Sequence, residues 1–532
     1  MYRNSLIGSV GVFFFFSLLS SHFASAQFSL TAQLRTRTEV RNGLGNLVLK
    51  GSKSGVFTSQ RTRLSFGYKW NRLLLGVVIQ DVRVWGQDAS SISNADGNKL
   101  MLHEGWAEII FTNKSDTSLK CKLVDFMSLK IGRQELLYDD VRLLGNLDWL
   151  QQARRHDMAL LKTNHKGLQV DLGFAYNQNS DAFGIANTSY VPANVPAYVK
   201  NSLGSVVPTP AGILPLAGAG NASFNSSKTG TPVWINPPTT NGGNQDYKSF
   251  SSLYISKKIG QTKFSGLFFN DNFGRYRLDS VGNLSSGYVY GRRFVSAGTD
   301  DVFDYSGLHK RYTYGLMINK SIELHPRFGK IAVQAAYYFQ SGTNRDGIKM
   351  KRAFHFTALA NYQIKKISLT TGYDMLSGND PATAEDEKFD PLYGTPHRHW
   401  GYMDYFYVGT GSPAGGLNNP YLKLKYTVST ISFGVDLHHF FLNRDMKKGD
   451  GSYVARQLGN ELDFTFNYNM NKFTNIELGY STMMASASMP FAKGQATSDV
   501  AAESYRKSGH WFYAMLRFAP DLFYSNAAIT KL

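Results

Sequence analysis

The stretch QLRTRTEVR, Gln33–Arg41, places a charged or strongly polar side chain at every second position. Successive side chains of a β-strand point to opposite faces, so this period of two predicts a strand with one strongly polar face. Three arginines share that face. In a membrane strand, each arginine turned towards lipid near the midplane costs about 2–4 kcal/mol. We therefore expect the arginines to face a water-filled interior.

Other segments of about ten residues, the length of a tilted membrane strand, repeat this pattern. They include SQRTRLSFGYKW (59–70), GLQVDLGFAYNQ (167–178), KRYTYGLMIN (310–319) and NELDFTFNYNM (460–470). In each of them, aliphatic and aromatic side chains alternate with Gly, Ala, Asn, Thr and charged residues. The whole chain is therefore predicted to be all-β.

Two architectures use such strands: a soluble sandwich or propeller, and an outer-membrane barrel that turns its apolar side to lipid. The barrel is favoured because the strands form one long series, and because short turns such as KIGQTK (258–263) alternate with long loops. Aromatic residues also gather at strand ends, as interfacial girdles require. We predict a single transmembrane antiparallel β-barrel over 27–532, with short periplasmic turns and long extracellular loops.

The first 26 residues predict a cleaved secretory signal peptide. Arg3 precedes an apolar run from Leu6 to Leu19, and Ala24-Ser25-Ala26 forms a small-residue cleavage site. A retained N-terminal anchor is the alternative. No later apolar run approaches the ~20 residues of a spanning helix, and the single cysteine excludes an intramolecular disulfide. The predicted location is the bacterial outer membrane.

A second pair of arginines, Arg61 and Arg63, lies on a strand that could neighbour the strand of Arg35 and Arg37. Four guanidinium groups could then converge in one wall of the lumen. The predicted acidic partners that hold them are Glu39, Asp81, Glu104 and Glu108. Surplus positive charge between low-dielectric walls raises the local concentration of anions, and the net charge of +18 points the same way. Alternatively, these charges only brace the structure.

One long segment, 183–246, is rich in Gly, Pro, Ser, Asn and Thr and shows no periodicity. A stretch of this length is functional or disordered, and we expect an extracellular loop that folds into the mouth. His397 and His399, like His438 and His439, could ligate a metal, but no other ligand spacing supports a site. No metal and no cofactor are predicted.

Catalysis and nucleic-acid binding are not expected. The nucleophile motif GxSxG is absent. Glu104 and Glu108 are four residues apart on one strand, about 13 Å, which is too far for either glycosidase geometry. The basic balance comes without a recognition helix or a base-stacking module, so it gives no support for nucleic acid.

Two long motifs, IGRQELLYDDVRLLGNLDWLQQARRHD (131–157) and FDPLYGTPHRHWGYMDYF (389–406), resemble the alginate export family of outer-membrane barrels. QLRTRTEVR, SQRTRLSFGYKW and VRVWGQD (82–88) resemble it too. The resemblance implies a monomeric barrel of about 18 strands, with 16 as the alternative. It also implies an arginine-lined, anion-selective pore, which in the best-known members passes a polyuronate.

By position, Gly132-Arg133-Gln134 matches the family's Gly-Arg-Gln strand end. The charged stretch that follows contains Arg142, Arg154 and Arg155. The alternation of side chains along a strand does not decide which of these three faces inward. Leu392-Tyr393 with His397 matches a family segment near the extracellular mouth. The long insertion at 183–246 departs from the family pattern.

We predict a passive channel for anionic solutes, with an acidic oligo- or polysaccharide as the best-fitting cargo. The predicted pore-lining residues that bind the cargo are Arg35, Arg37, Arg61, Arg63, Arg133, Arg142, Arg154 and Arg155. Expected partners are outer-membrane lipid, the anionic solute and periplasmic export or uptake proteins. The alternative is a general diffusion porin or structural barrel whose lumenal charges are only bracing.

Overall fold

The structure is a computed structural model that describes residues 27–86, 100–116, 119–178, 190–191, 195–217, 230–233, 247–325, 327–407 and 413–525. The predicted signal peptide, 1–26, lies outside the described residues, and only parts of the predicted loop 183–246 lie within them. Long strands dominate the secondary structure. Within the described ranges, no helix has the length and apolar character needed to cross a membrane.

Eighteen long strands form the main sheet, numbered here β1 to β18 in chain order. The first nine are β1 (Gln27–Asn42), β2 (Gly55–Trp70), β3 (Leu73–Val84), β4 (Leu100–Asn113), β5 (Phe126–Gln134), β6 (His156–His165), β7 (Leu168–Tyr176), β8 (Ser249–Ile259) and β9 (Thr262–Gly274). The other nine are β10 (Leu308–Glu323), β11 (Lys330–Thr343), β12 (Lys349–Ile364), β13 (Ile367–Leu376), β14 (Leu417–Val428), β15 (Ile431–Phe441), β16 (Gln457–Asn469), β17 (Thr474–Ala485) and β18 (Ser508–Phe518).

Each strand pairs antiparallel with the next one, and β18 pairs with β1, so that the sheet closes into a barrel. A short strand, Asp521–Tyr524, follows β18 and pairs with the start of β1. Closure leaves the barrel without free edges. The predicted all-β antiparallel barrel of 18 strands is confirmed, and the alternative of 16 strands is wrong.

The two ends of the barrel differ in the length of their connections. At the short-turn end, Lys166 and Gly167 join β6 to β7, and their φ angles of 49° and 77° suit a two-residue type I′ turn. The opposite end is the long-loop end, and its connections include 135–155, 177–248, 275–307, 377–416 and 486–507. In outer-membrane barrels, short turns face the periplasm and long loops face the outside.

Side chains alternate between the outer and inner faces of the barrel. On β7, Leu172 and Phe174 point outwards with 48% and 55% exposure, whereas Asp171 and Ala175 are buried inside. The same alternation recurs around the barrel and leaves a belt of aliphatic and aromatic side chains outside. A belt of this kind suits contact with lipid.

Short elements decorate the long loops. Tyr198–Lys200 pairs with Val206–Pro208, and Met446–Lys447 pairs with Tyr453–Val454. A four-stranded sheet runs in the order Thr231–Pro232, Ile213–Ala217, Gly287–Phe294, Tyr276–Asn283. Among the described residues, short helical segments are Pro396–Arg398, Met489–Ala492 and Asp499–Glu503.

The described residues of two long loops fold into the barrel, and we call 135–155 the first inner loop and 377–416 the second inner loop. Leu144 forms a parallel β-bridge with Tyr393, whose backbone N–H donates to the carbonyl of Leu143 at 2.9 Å. Around this bridge lies a core of fully buried aromatic side chains: Phe250, Phe269, Phe273, Phe389, Tyr393, Trp400 and Phe440. The interior at the long-loop end is therefore packed with side chains.

Candidate anion-binding site

Three arginines on the neighbouring strands β1 and β2 face the barrel interior. Arg35 lies directly opposite Arg61, and Arg63 is two positions further along β2. On its other side, Arg35 lies opposite Arg517 of β18. Like charges directly opposite each other destabilise a sheet. These arginines therefore need a counter-ion, and neither β1 nor β2 places an acidic side chain between Arg35 and Arg61.

The counter-ion is Asp148, at the tip of the first inner loop. Its Oδ1 lies 2.8 Å from Nη1 of Arg61 and 3.3 Å from Nη1 of Arg63, and its Oδ2 lies 3.2 Å from Nη1 of Arg35. Burial acts to raise the pKa of Asp148, but Arg61 and Arg35 outweigh it, so the pKa lies below its usual value. Three guanidinium groups thus share one carboxylate.

Further contacts fix the same loop tip to the arginine wall. Arg35 Nε donates to Oε1 of Gln151 at 2.9 Å, and Gln151 Nε2 donates to Oγ of Ser59 at 3.0 Å. Arg37 Nη1 donates to the carbonyl of Trp149 at 2.8 Å, and its Cζ lies 4.3 Å from the centre of the indole ring. The predicted pore-lining arginines Arg35 and Arg37 therefore anchor a loop.

The predicted acidic partners have different roles. Glu39 is buried and accepts a hydrogen bond from Nε of Arg37 at 2.9 Å. Glu108 pairs with Lys162 at 2.6 Å, and Glu104 accepts from an indole N–H of its own strand at 3.1 Å. Among these lumenal acids, only Glu39 contacts one of the predicted arginines directly through a described ion pair.

The predicted lumenal placement of Asp81 is wrong. In the β2–β3 register Gln80 lies opposite Arg63, and Asp81 lies opposite Thr62. Since neighbouring residues of a strand point to opposite faces, Asp81 lies on the outer face. There its Oδ2 accepts a hydrogen bond from Nε of Arg83 at 2.7 Å.

The predicted pore-lining role of Arg133 is wrong for the same reason. Gln134, the next residue of β5, is fully buried on the inner face, whereas Ile131, which shares the face of Arg133, is 52% exposed. Arg133 therefore points outwards. Its Nε and Nη2 each donate to the carboxylate of Asp157 at 2.8 Å, which forms a bidentate pair.

Arg142, in the first inner loop, lies inside the barrel between two carboxylates. Its Nη1 donates to Oδ1 of Asp374 at 2.7 Å, and its Nε donates to Oδ2 of Asp140 at 3.1 Å. Burial acts to raise the pKa of Asp140, but Arg142 outweighs burial, and the pKa lies well below its usual value. Arg142 is therefore a neutralised structural cation.

The last two predicted arginines also lie in the first inner loop. Arg154 is buried and donates to the carbonyl of Gly394 in the second inner loop. Arg155 is half-buried, and its Nη2 lies 3.7 Å from Sδ of Met101. Burial lowers the pKa of both guanidinium groups, that of Arg154 to about 9. Arg154 therefore connects the two inner loops.

The residues of the second inner loop that were expected near the mouth lie inside the barrel. The hydroxyl of Tyr393 donates to Oδ2 of Asp271 at 2.7 Å. His397 Nδ1 lies 2.6 Å from Oδ1 of Asp404, and the ring of His397 stacks on Trp149. The long-loop connections thus reach well into the interior.

Two adjoining cavities of about 690 Å³ and 650 Å³ extend from the inner loops to the short turns. Seven basic side chains border them: Arg35, Arg142, Arg398, Lys423, Lys425, Lys472 and Arg517. The four acidic ones are Asp140, Asp148, Asp436 and Glu477. Arg398, Lys425 and Arg517 form no salt bridge with any residue that the structure describes. The cavity walls therefore carry surplus positive charge.

One group in the described part of the chain offers metal-ligating atoms close together. The donor atoms of His103, Glu104 and Glu135 lie within 4.8 Å of one another. However, Nη2 of Arg63 lies 3.1 Å from Nε2 of His103, and a fixed cation beside a ligand disfavours metal binding. The expectation that the protein needs no metal stays a prediction.

Asp148 was not among the predicted site residues, although it lies within the motif 131–157. A signal was present: residues 147–150 read Leu-Asp-Trp-Leu, an apolar composition that a solvent-exposed loop rarely has. Such a loop has to find a buried surface. Lys423 and Lys425 carried a second signal, because they alternate along β14 and so share one face.

A closed antiparallel barrel with short turns at one end and long, inward-folded loops at the other defines the class of outer-membrane porin folds. No model of a known protein family matches the chain, so the predicted membership of the alginate export family gains no support. No curated protein matches it either.

Solved structures of outer-membrane proteins from Pseudomonas aeruginosa do resemble this chain. OpdQ has a TM-score of 0.50 and 11% identity, over 94% of this chain and 100% of that chain. OprD has a TM-score of 0.48 and 9% identity, over 95% of each. OccK2 (OpdF), solved in complex with glucuronate, has a TM-score of 0.48 and 9% identity, over 93% of this chain and 98% of that chain. At these identities, the likeness to OpdQ shows the fold alone.

Proposed function

We propose that this protein is a channel in the bacterial outer membrane through which anionic solutes pass passively, with an acidic oligo- or polysaccharide as cargo. The observation that carries the proposal is the shared carboxylate of Asp148. Arg35, Arg61 and Arg63 bring three positive charges to this one negative charge, and Asp148 and Arg35 border the 650 Å³ cavity. Carboxylates suit this wall, because guanidinium groups bind them in a bidentate way.

The cavity adds weaker cationic positions along the path. Arg398, Lys425 and Arg517 border it without a described counter-ion. A unit charge 4 Å from another gains only about 1 kcal/mol in bulk water, and more as the surroundings become less polar. A series of such contacts allows entry as well as exit, which conduction requires. This arrangement suits a polyanion with one carboxylate per sugar unit.

A second candidate function is a general diffusion porin or structural barrel. The observation that favours it is the burial of the predicted arginines: Arg142 lies between two carboxylates, and Glu39 binds Arg37. Under this alternative the charges brace the inner loops, and the surplus charge does not select solutes. The two candidates differ in ion selectivity.

Reversal potentials in a salt gradient across planar bilayers separate the candidates. Because Arg35 and Arg37 anchor a loop, charge reversal is best made at residues that border the cavity without a described partner: Lys425→Glu with Arg517→Glu. The proposal expects an anion-selective wild type and a several-fold smaller anion-to-cation permeability ratio in the double variant, since the field inside the cavity decreases.

The matched control is Lys257→Glu with Lys320→Glu, which reverses two charges on the outer faces of β8 and β10. It should leave the reversal potential unchanged. A cation-selective wild type would refute the proposed function. An anion-selective wild type whose double variant keeps the same permeability ratio would favour the porin or structural barrel.

A further inference from the structure

The three-arginine site shows an unusual distribution of exposure. The side chains of Arg35 and Arg61 are 5% and 1% exposed, whereas the side chain of Asp148 is 43% exposed and borders the 650 Å³ cavity. A solute in this cavity therefore meets the carboxylate of Asp148 before it meets the arginines. Behind it, three guanidinium groups share direct ion pairs with that one carboxylate, and Glu135 and Glu104 act on Arg63 from a greater distance.

The loop that supplies Asp148 holds its position under backbone strain. Leu147 and Ala153, on either side of the tip, have φ angles of 48° and 51°, in the left-handed region. That conformation costs about 1–2 kcal/mol for a residue with a Cβ. Strained segments of this kind persist only while surrounding contacts hold them. The contacts here include the side chains of Arg35 and Arg37, the hydrogen bond from the N–H of Leu147 to Oγ1 of Thr395 and the stacking of Trp149 on a histidine ring.

A carboxylate in solution offers the arginines the same two oxygen acceptors as Asp148. We propose that Asp148 is a tethered competitor for a carboxylate-binding site formed by Arg35, Arg61 and Arg63, and that an incoming carboxylate displaces it and releases residues 146–151 from the barrel wall. This inference rests on the proposed function and adds to it the ligand class and the moving segment of the site.

The test measures binding of sodium galacturonate to the purified barrel in detergent, with galactose as the neutral control. A tethered group competes at an effective concentration in the millimolar range, so Asp148→Asn should lower the Kd for galacturonate about tenfold or more. Asp148→Glu should keep the wild-type Kd. Asp157→Asn removes the same charge on the outer face and should also keep it.

Two outcomes would overturn the inference: an Asp148→Asn protein that binds galacturonate no more tightly than wild type, or an equal gain in Asp157→Asn. If Asp148→Asn does not fold, the tryptophan fluorescence of the wild-type protein tests the inference instead. Galacturonate should change the tryptophan fluorescence of wild type, and Trp149→Phe should lack that change. The inference fails if wild type shows no change.

The reversal potential of the wild-type protein distinguishes a failure of this inference from a failure of the proposed function. An anion-selective wild type combined with an unchanged Kd in Asp148→Asn would overturn this inference and leave the proposed function standing. A cation-selective wild type would refute the proposed function, whatever the galacturonate titration gives.

Discussion

Trp149 of the first inner loop stacks on His397 of the second, with ring centroids 4.4 Å apart and planes inclined by 9°. Arg37 covers the other face of the indole, with Cζ 4.3 Å from the ring centroid, and Tyr402 stacks beyond His397 at 5.0 Å. This four-membered stack connects the barrel wall to both inner loops. Displacement of one loop should therefore disturb the other.

The stack predicts the effect of Trp149→Ala. Loss of the aromatic contact and of the contact with Arg37 should lower the free energy of unfolding by about 1–3 kcal/mol. It should also raise the conductance in planar bilayers, because the loop tip is held less firmly. Trp85→Ala, at a tryptophan that is 59% exposed, is the control. Unchanged conductance in Trp149→Ala would contradict the role of Trp149 in holding the loop tip.

Arg142 predicts a large stability effect. Arg142→Met leaves the buried carboxylates of Asp140 and Asp374 without their cation and should cost about 3–5 kcal/mol. Thermal unfolding, followed by the change in electrophoretic mobility of the folded barrel, measures it. The triple variant Arg142→Met, Asp140→Asn, Asp374→Asn should recover most of the loss. No recovery would mean that Arg142 acts through packing alone.

Gly394 of the second inner loop lies against the backbone of the first inner loop. A Cβ at this position would clash with the backbone carbonyl of Arg142, which cannot turn aside as a side chain could. Gly394→Ala should therefore push the loops apart, lower stability by about 1–3 kcal/mol and speed hydrogen exchange in 135–155. Gly298→Ala, where a Cβ has room, is the control. Unchanged exchange would contradict the close contact.

Lys493, after the short helix Met489–Ala492, predicts a pH dependence. Burial lowers the pKa of Lys493 to about 7, and its ammonium group donates to the carbonyl of Tyr405. In the unfolded chain the pKa of a lysine is about 10.4, so between these values the unfolded chain binds a proton that the folded chain has lost. Stability of this loop should therefore rise as the pH rises from about 7 to about 10.

Thermal unfolding across that pH range tests this expectation. Lys493→Met should remove the rise in stability, because the side chain no longer titrates. Lys507→Met, at an exposed lysine of the same loop, should keep it. A rise that survives in Lys493→Met would assign the pH dependence to another group.

The strands could be predicted from the sequence because the period of two is a local property of the chain. Arg35 and Arg61 could be placed on the inner face, since lipid would penalise the opposite choice. Asp81 and Arg133 could not be placed, because a sequence shows which face of a strand points inwards only where the residues of one face are clearly apolar. On β3, Gln80 and Asp81 are neighbours, and either could have faced the lumen.

The sequence by itself determined the closed barrel and the basic character of its inner wall, whereas the expected number of strands came from the resemblance to a known family. Only the tertiary structure decided that Asp148 neutralises that wall and that the long loops enter the interior. The physical reason is distance along the chain: hydrophobic alternation acts between neighbours, whereas Asp148 meets Arg35 and Arg61 across 113 and 87 residues of sequence. Contacts of that range follow from how the sheet closes and which loops find room inside it.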